Sequence, residues 1–432
     1  MEGSITVVKP RKPPERQLEI RSNSLYVFLF SVLVQIVFLA LIPGGHRANE
    51  SSDYDKFYAP VAQNLLEGKG LITLDGKIAS DYPPGFPMYL AAHFYLADRL
   101  VLARASLITA TNIVLMSLSC LLVGWIAESL FTRNIALVSE FLWATYLFNL
   151  WLVKQPNSEV PFIFLFYLAV CFFLAGLKSP CLLRFAVVGL LLGLAALIRP
   201  IILWFPFVIA GLLLLRREIR ISYRISCAGL IVVAFLVVIL PWEATLALQT
   251  GRLVPLSTNG PASMLDGLTF ATKTGKGGDH AWAPANVQAL AQRVRENQHS
   301  LHTAGEVIRF MLSQVRNNHT AVIEMGILKT ARSWYGTNAM WHERPVAVIQ
   351  SIYLLLIVPG IFLAWRRFPT KRFFCLMLLT IMLYFWSMTV VVLSILRYMV
   401  PAIGLVLMFA AISVETILAG RKRVGLEGFS ES

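Results

Sequence analysis

The chain has 432 residues, 57% of them hydrophobic and only 14% charged, with a net charge of +14. A soluble domain carries about 25% charged residues, so the composition excludes an ordinary soluble protein. The excess of cations does not point to nucleic acid, because it falls in short clusters between apolar runs and not on one basic surface.

Apolar runs recur at the length of about 20 residues that crosses a bilayer core as a helix. Backbone polar groups in lipid must be satisfied internally, so the spans are expected to be helices. In chain order the runs cover residues 25–43, 104–128, 134–152, 158–177, 184–198, 200–215, 223–241, 346–365, 373–391 and 396–419. No small-residue cleavage site follows the first run, which predicts an uncleaved span. Basic residues then fix the orientation. Lys9, Arg11, Lys12, Arg16 and Arg21 precede the first span. Arg133, Lys178 with Arg184, Arg216 to Arg224, Arg366 to Arg372 and Arg421 to Arg423 follow on alternate connections. The positive-inside rule makes that side the cytoplasm, with both termini inside. The setting expected is a bacterial inner membrane. Cys120, Cys171, Cys181, Cys227 and Cys375 fall in spans or near their cytoplasmic ends, which implies neither a disulfide framework nor a metal site.

Two long connections face outward, 44–103 and 242–345, and all seven histidines lie in them. The chain therefore divides into an N-terminal membrane module (1–241, with outer loop 44–103), an outer helical region (242–345) and a C-terminal membrane segment (346–432). In the first connection, SSDYDKFYAP (51–60) places Asp53 and Asp55 close to the end of the first span. A short amphipathic helix over 58–70 follows, with Gly68 as its stop. Then YPPGFP (82–87) fixes an extended turn, and 86–96 forms a second interfacial helix. In the outer region, 284–298 and 303–316 have amphipathic helical patterns.

Further ionisable groups sit at the same outer level: Lys154 and Glu159 in KQPNSEVP, Arg199 in LIRP, and Arg397 in ILRYMVP. Such groups at the edge of apolar helices are expensive, and they usually pair or serve function. A carboxylate here can take a proton from a hydroxyl, and arginines can hold a phosphate through charge-assisted hydrogen bonds. Ordinary interfacial anchoring is the alternative for each residue taken alone.

These pieces carry a resemblance. The Asp soon after the first span, the A-x-N-L-L-E-G-x-G helix and the YPPGFP turn resemble the polytopic GT-C-type glycosyltransferases. The group in question is that of the dolichyl-phosphate-mannose–protein mannosyltransferases and lipid A aminoarabinose transferases. NSEVPF (157–162), GLAALIRP (193–200), LPWEATL (240–246), VPLSTNG (254–260) and LRYMVP (396–401) follow in the matching order. The resemblance implies an all-α integral membrane fold, a GT-C-like bundle of about ten transmembrane helices with a small helical outer subdomain. It implies transfer of a sugar from a polyprenyl-phosphate-linked donor to a hydroxyl acceptor (protein, glycolipid or glycan) at the outer face, with inversion and without a nucleotide. Asp53 or Asp55 matches the catalytic base of the first outer loop, although many members carry Asp-Glu where this chain has Asp-Tyr-Asp. Glu159 matches the acidic residue of the next outer loop. Arg199, Arg397 and Lys154 would contact the donor phosphate. Tyr82 and Tyr398 are candidate substrate contacts, and Ser257, Thr258 and Asn259 in VPLSTNG could hydrogen-bond a sugar or simply turn the chain.

No cofactor is required on this reading. Asp53, Asp55 and Glu159 could supply oxygen ligands to a divalent metal. His299 and His302 are three apart, and on a helix they could share a face, with surface histidines as the plainer reading. Trp334, Tyr335 and Trp341 read as interfacial anchors or sugar-stacking groups. Asn49 and Asn318 head glycosylation sequons that chance explains. Two other functions fit the composition. A lipid or sugar transporter would need polar groups at mid-span. A non-catalytic envelope assembly protein would tolerate loss of both aspartates.

Overall fold

The computed structural model describes residues 23–42, 53–179, 181–270, 283–337 and 342–427, with side chains to 419. The described residues form helices and no strand. All ten predicted spans are helical, but they are not equal. Seven helices are long and apolar enough to cross a membrane: α1 (Ser24–Leu41), α4 (Arg104–Leu130), α7 (Glu159–Lys178), α10 (Ile221–Thr250), α15 (Glu343–Arg367), α16 (Arg372–Val391) and α17 (Val400–Glu427). The run expected at 134–152 is instead α5 (Arg133–Ala144) and α6 (Leu147–Val153), bent by 53°. The cause lies at the bend, where the Asn149 side-chain amide donates to the Trp143 carbonyl. A side chain that bonds nearby backbone in this way competes with the helical ladder. The runs at 184–198 and 200–215 are shorter helices, α8 (Leu182–Ile198) and α9 (Phe205–Leu214).

Helix α17 is the axis of the bundle. From Met399 to Ile412 almost every side chain is buried, as expected of a helix apolar all round. Small residues allow the close approach this needs. A Cβ on Gly404 would run into Trp143 and Tyr167, and one on Gly360 into the Phe409 backbone.

The connection between α1 and α4 contains the two expected helices, α2 (Ala59–Leu66) and α3 (Gly85–Leu100), and Gly68 does take a left-handed φ of 75°. The connection between α10 and α15 contains four: α11 (Gly260–Thr269), α12 (Ala285–Asn297), α13 (Ala304–Asn317) and α14 (His319–Arg332). They share their own small core, which includes Val287, Leu290, Val294, Val307 and Met325. Helix α13 starts with a capping box, Thr303 accepting from the Glu306 N–H and Glu306 accepting from the Thr303 N–H, which satisfies two otherwise orphan donors. Asn318 caps α14 by accepting from the Ala321 N–H. The predicted sequon at Asn49 and the aromatic Trp341 lie outside the described residues.

Candidate functional site

At one end of the bundle, a cavity of about 520 Å³ lies between the starts and ends of α7, α8 and α16, the segments that follow α10 and precede α17, and the helices of the 242–345 region. The basic residues Lys178, Arg184, Arg224 and Arg372 sit at the opposite ends of α7, α8, α10 and α16.

Three segments far apart in sequence supply its charges. Glu159 is the first residue of α7, where a carboxylate is favoured by the helix dipole. Arg199 ends α8 in an extended conformation, because the following Pro200 disfavours helix at the preceding residue. Arg397 lies in a 3-10 turn, Leu396–Tyr398, just before α17. They converge on Glu159, which is 2% exposed: Arg199 Nη1 is 2.7 Å and Arg397 Nε 3.4 Å from its Oε1. Arg199 Nη1 also donates to Ser158 Oγ at 2.9 Å. The Tyr398 ring is shared, its centroid 4.8 Å from the Arg199 guanidinium and 5.3 Å from that of Arg397. The Arg397 contact is an attraction between charges without hydrogen-bond alignment, so its buried Nε–H has no aligned acceptor.

Asp53 faces this group from the connection between α1 and α4, and it lines the cavity. It begins a helical segment whose next residues, Tyr54–Tyr58, make a wide π-type turn into α2. Two residues along a helix point nearly opposite ways, at about 100° per residue. Asp55 is accordingly exposed and absent from the cavity lining. Tyr82 donates to Asp53. Burial holds the Tyr82 phenol well above its usual range, and the Asp53 charge adds to the shift. The Tyr82 ring packs on Phe57 and Tyr58 at 5.0 and 4.9 Å, and Tyr58 packs on Phe86 at 4.9 Å. This aromatic cluster ties the Asp53 helix to the YPPGFP turn.

The turn is in turn pressed against Arg199. A Cβ on Gly85 would lie 2.6 Å from the Leu197 carbonyl oxygen, so glycine is what lets α3 touch α8 two residues before the arginine. The VPLSTNG loop closes another side. The Thr258 N–H donates to the Ser80 carbonyl at 2.9 Å, and the Thr258 hydroxyl donates to Asp81 at 3.1 Å. Leu256 takes a left-handed φ of 59°, a strained choice for a side chain of its size. It is held there by α10: its N–H donates to Glu243 at 2.7 Å and its carbonyl accepts from Trp242 Nε1 at 2.9 Å.

Of the residues singled out in the sequence, Asp53, Tyr82, Glu159, Arg199, Ser257, Asn259, Arg397 and Tyr398 line the one cavity. Asp55 and Lys154 do not. Lys154 is buried with its ammonium 3.7 Å from the centre of the Trp151 ring. Glu159, expected as a second acid, has the guanidiniums of Arg199 and Arg397 within 2.7 and 3.4 Å of one oxygen. His302 lines the cavity, whereas His299 lies in a 3-10 turn and is not among the lining residues. Sequence reasoning missed Arg252, Thr303 and Trp204 in the lining. It also missed the grip of Trp242 and Glu243, for which the LPWE motif was the available signal. Among the described residues, no group of three His, Cys, Asp or Glu converges to hold a metal. Three arginines against two carboxylates leave the cavity suited to a single anion.

The chain is a helical bundle with membrane-length helices and with acids and arginines gathered at one end, and the comparisons with known proteins bear on that arrangement. Residues 81–242 match the family model described as dolichyl-phosphate-mannose-protein mannosyltransferase. That stretch contains Glu159 and Arg199 but neither Asp53 nor Arg397. In fold, the chain is similar to the oligosaccharyltransferase of Archaeoglobus fulgidus. The structure of that enzyme tethered to an acceptor peptide with the NVT sequon gives a TM-score of 0.58 at 12% identity, covering 93% of this chain and 50% of that one. The structure of the same enzyme, AglB, with an inhibitory peptide and a dolichol-phosphate gives 0.54 at 13% identity, covering 94% and 51%. ArnT from Cupriavidus metallidurans bound to undecaprenyl phosphate is 13% identical over 91% of this chain and 78% of that one, but its TM-score of 0.39 carries no weight. The chain thus spans about half the length of the oligosaccharyltransferase it matches. No curated protein matches it.

Proposed function

We propose that the protein is a membrane glycosyltransferase. It moves a sugar from a polyprenyl-phosphate-linked donor to a hydroxyl acceptor at the outer face of the membrane. The observation that carries this reading is the single cavity shared by Asp53 and by the Arg199–Glu159–Arg397 cluster. The dolichol-phosphate in the fold relative AglB and the mannosyltransferase family match over 81–242 support the same donor class. The position of the basic clusters, at the ends of the spans away from the cavity, supports an outer site through the positive-inside rule.

In the reaction, Asp53 takes the proton of the acceptor hydroxyl as its oxygen attacks the anomeric carbon. The bond from that carbon to the phosphate oxygen breaks, and its electron pair leaves with the polyprenyl phosphate. One displacement inverts the anomeric centre. The leaving phosphate gains negative charge during this step. Donors aimed at such developing charge are usually the largest catalytic contribution. Arg397, with an unspent buried Nε–H, and Arg199 are the groups suited to it. Glu159 positions these two guanidiniums and is not the base, because a carboxylate engaged by two cations is poorly able to accept a proton. Tyr82 orients Asp53. The outer wall, with Arg252, Asn259, Ser263 and His302, is where the acceptor enters.

The test is lipid mass spectrometry of cells lacking the protein. An unspent polyprenyl-phosphate sugar should accumulate, and should be cleared by the native gene but not by Asp53→Asn. Absence of any such lipid, or clearance by the Asp53→Asn variant, overturns the reading.

A further inference from the structure

We infer that Lys329 and Arg332, on the outer helix α14, are positioning residues that set the orientation of Arg397 by gripping the backbone just ahead of it. For its kinetic consequence, the inference rests on the glycosyl-transfer reading; the grip itself does not.

Between the end of α16 at Val391 and the 3-10 turn at Leu396, the chain runs without a regular helical ladder. The last carbonyls of a helix and the groups of such a linker need partners from elsewhere. Helix α14 and the turn that follows it supply them. Lys329 Nζ donates to the Val391 carbonyl at 3.3 Å. It thus donates at the C-terminus of α16, where the helix dipole favours a donor or a positive charge. Arg332 Nη1 donates to the Ser394 carbonyl at 3.4 Å. The Leu396 N–H donates to the Gly336 carbonyl at 2.8 Å. Lys329 and Arg332 are each 3% exposed.

The linker is also clamped sterically. A Cβ on Gly336 would lie 2.5 Å from the Ser394 carbonyl oxygen, and one on Gly267 of α11 would collide with the carbonyl of Val392. Arg332 is itself fixed from the other side. Its Nη2 donates to Glu343 Oε1 at 2.7 Å and to the Thr337 carbonyl at 3.0 Å. Trp386 Nε1 of α16 donates to the Thr330 carbonyl at 3.1 Å, between the two cations on α14. Arg397 follows the held Leu396 directly, and its side chain reaches Glu159 from there.

Burying an ammonium or a guanidinium is expensive, and apolar residues of similar volume would serve packing alone better. What packing alone would not need is a set of donors aimed at the carbonyls of one linker. The outer subdomain is therefore more than a cover: through these two side chains it holds a membrane-level arginine in register with Glu159.

The test uses the full chain in lipid nanodiscs and the variants Lys329→Met, Lys329→Arg and Arg332→Lys. The first readout is hydrogen exchange of the amides of residues 392–399. The second is transfer kinetics with a polyprenyl-phosphate sugar. Lys329→Met is expected to raise exchange in this segment and to lower kcat by up to ~100-fold, the cost of about 1 Å of misplacement at a reacting centre. KM for the acceptor should stay unchanged. Lys329→Arg should restore both readouts, which a loss of bulk stability would not explain. Arg332→Lys serves in the same way if Lys329→Met does not fold. Native exchange over 392–399 in the variants overturns the grip, and raised exchange with native kcat overturns its link to Arg397. If the native protein transfers no sugar, the glycosyl-transfer reading fails, and the exchange readout alone decides whether the grip exists.

Discussion

Replacing Glu159 with Gln keeps the shape of the side chain and removes the charge on which two arginines converge. The approaches are 2.7 and 3.4 Å. At an effective dielectric of about 20, Coulomb's relation assigns them about 6 and about 5 kcal/mol of attraction. Much of this is offset by the cost of burying a carboxylate that is 2% exposed and by the repulsion between the two guanidiniums. Breaking a buried pair from one side typically costs about 3–5 kcal/mol, because a charge is left without compensation, and that is the destabilisation expected here. The assay is unfolding of the purified variant in detergent, followed by near-UV signal. A second arm adds farnesyl phosphate. With the carboxylate gone, the paired guanidiniums should welcome an anion, so this ligand should stabilise Glu159→Gln more than the native protein. A ligand at 100 times its Kd adds about 2.7 kcal/mol, enough to close most of the gap. Native stability in the variant, or a phosphate response no larger than that of the native protein, would refute the reasoning.

Asp53→Asn should lower transfer by about 10²–10⁴-fold, the usual contribution of a general base, while Asp55→Asn leaves it near native; activity assays on the two single variants separate them. Gly85→Ala forces a Cβ to within 2.6 Å of the Leu197 carbonyl oxygen, so thermal unfolding should show a loss of about 1–3 kcal/mol, as for other overpacked sites, accompanied by reduced transfer as Arg199 shifts. Burial, reinforced by Arg332, pushes the Lys329 ammonium down from 10.5 to about 7. Between those values the unfolded chain holds a proton that the native one has lost, so this residue makes stability rise with pH. Below about 7 both states are charged and the burial penalty is complete. The stability of Lys329→Met minus that of the native protein should therefore fall as pH is raised from 7 to 10, measured by unfolding across that range.

The helices were legible because apolar runs of membrane length have few alternatives to helix. The bend between α5 and α6 was not, since it turns on one side chain, Asn149, bonding the backbone six residues earlier. The rim charges were visible as a set, but their partnerships were not. Residues 159, 199 and 397 meet only through the packing of α7, α8 and α17, so nothing local announces that Glu159 answers two arginines. The choice between Asp53 and Asp55 depended on where a helix begins, and boundaries are what sequence reading locates least well. Lys154 looked like its neighbours on the rim, yet it turns to the Trp151 ring. Lys329 and Arg332 were not singled out in the sequence, and only their burial against 391–396 distinguishes them.

The most direct measurement is transfer by the purified protein in liposomes, given a polyprenyl-phosphate sugar of defined anomeric configuration and a hydroxyl acceptor, with the product anomer read by NMR. The expected product has the opposite configuration to the donor, and its formation slows by about 10²–10⁴-fold with Asp53→Asn. Retained configuration, or full turnover when Asp53 and Asp55 are both replaced by Asn, would contradict an in-line displacement driven by that carboxylate.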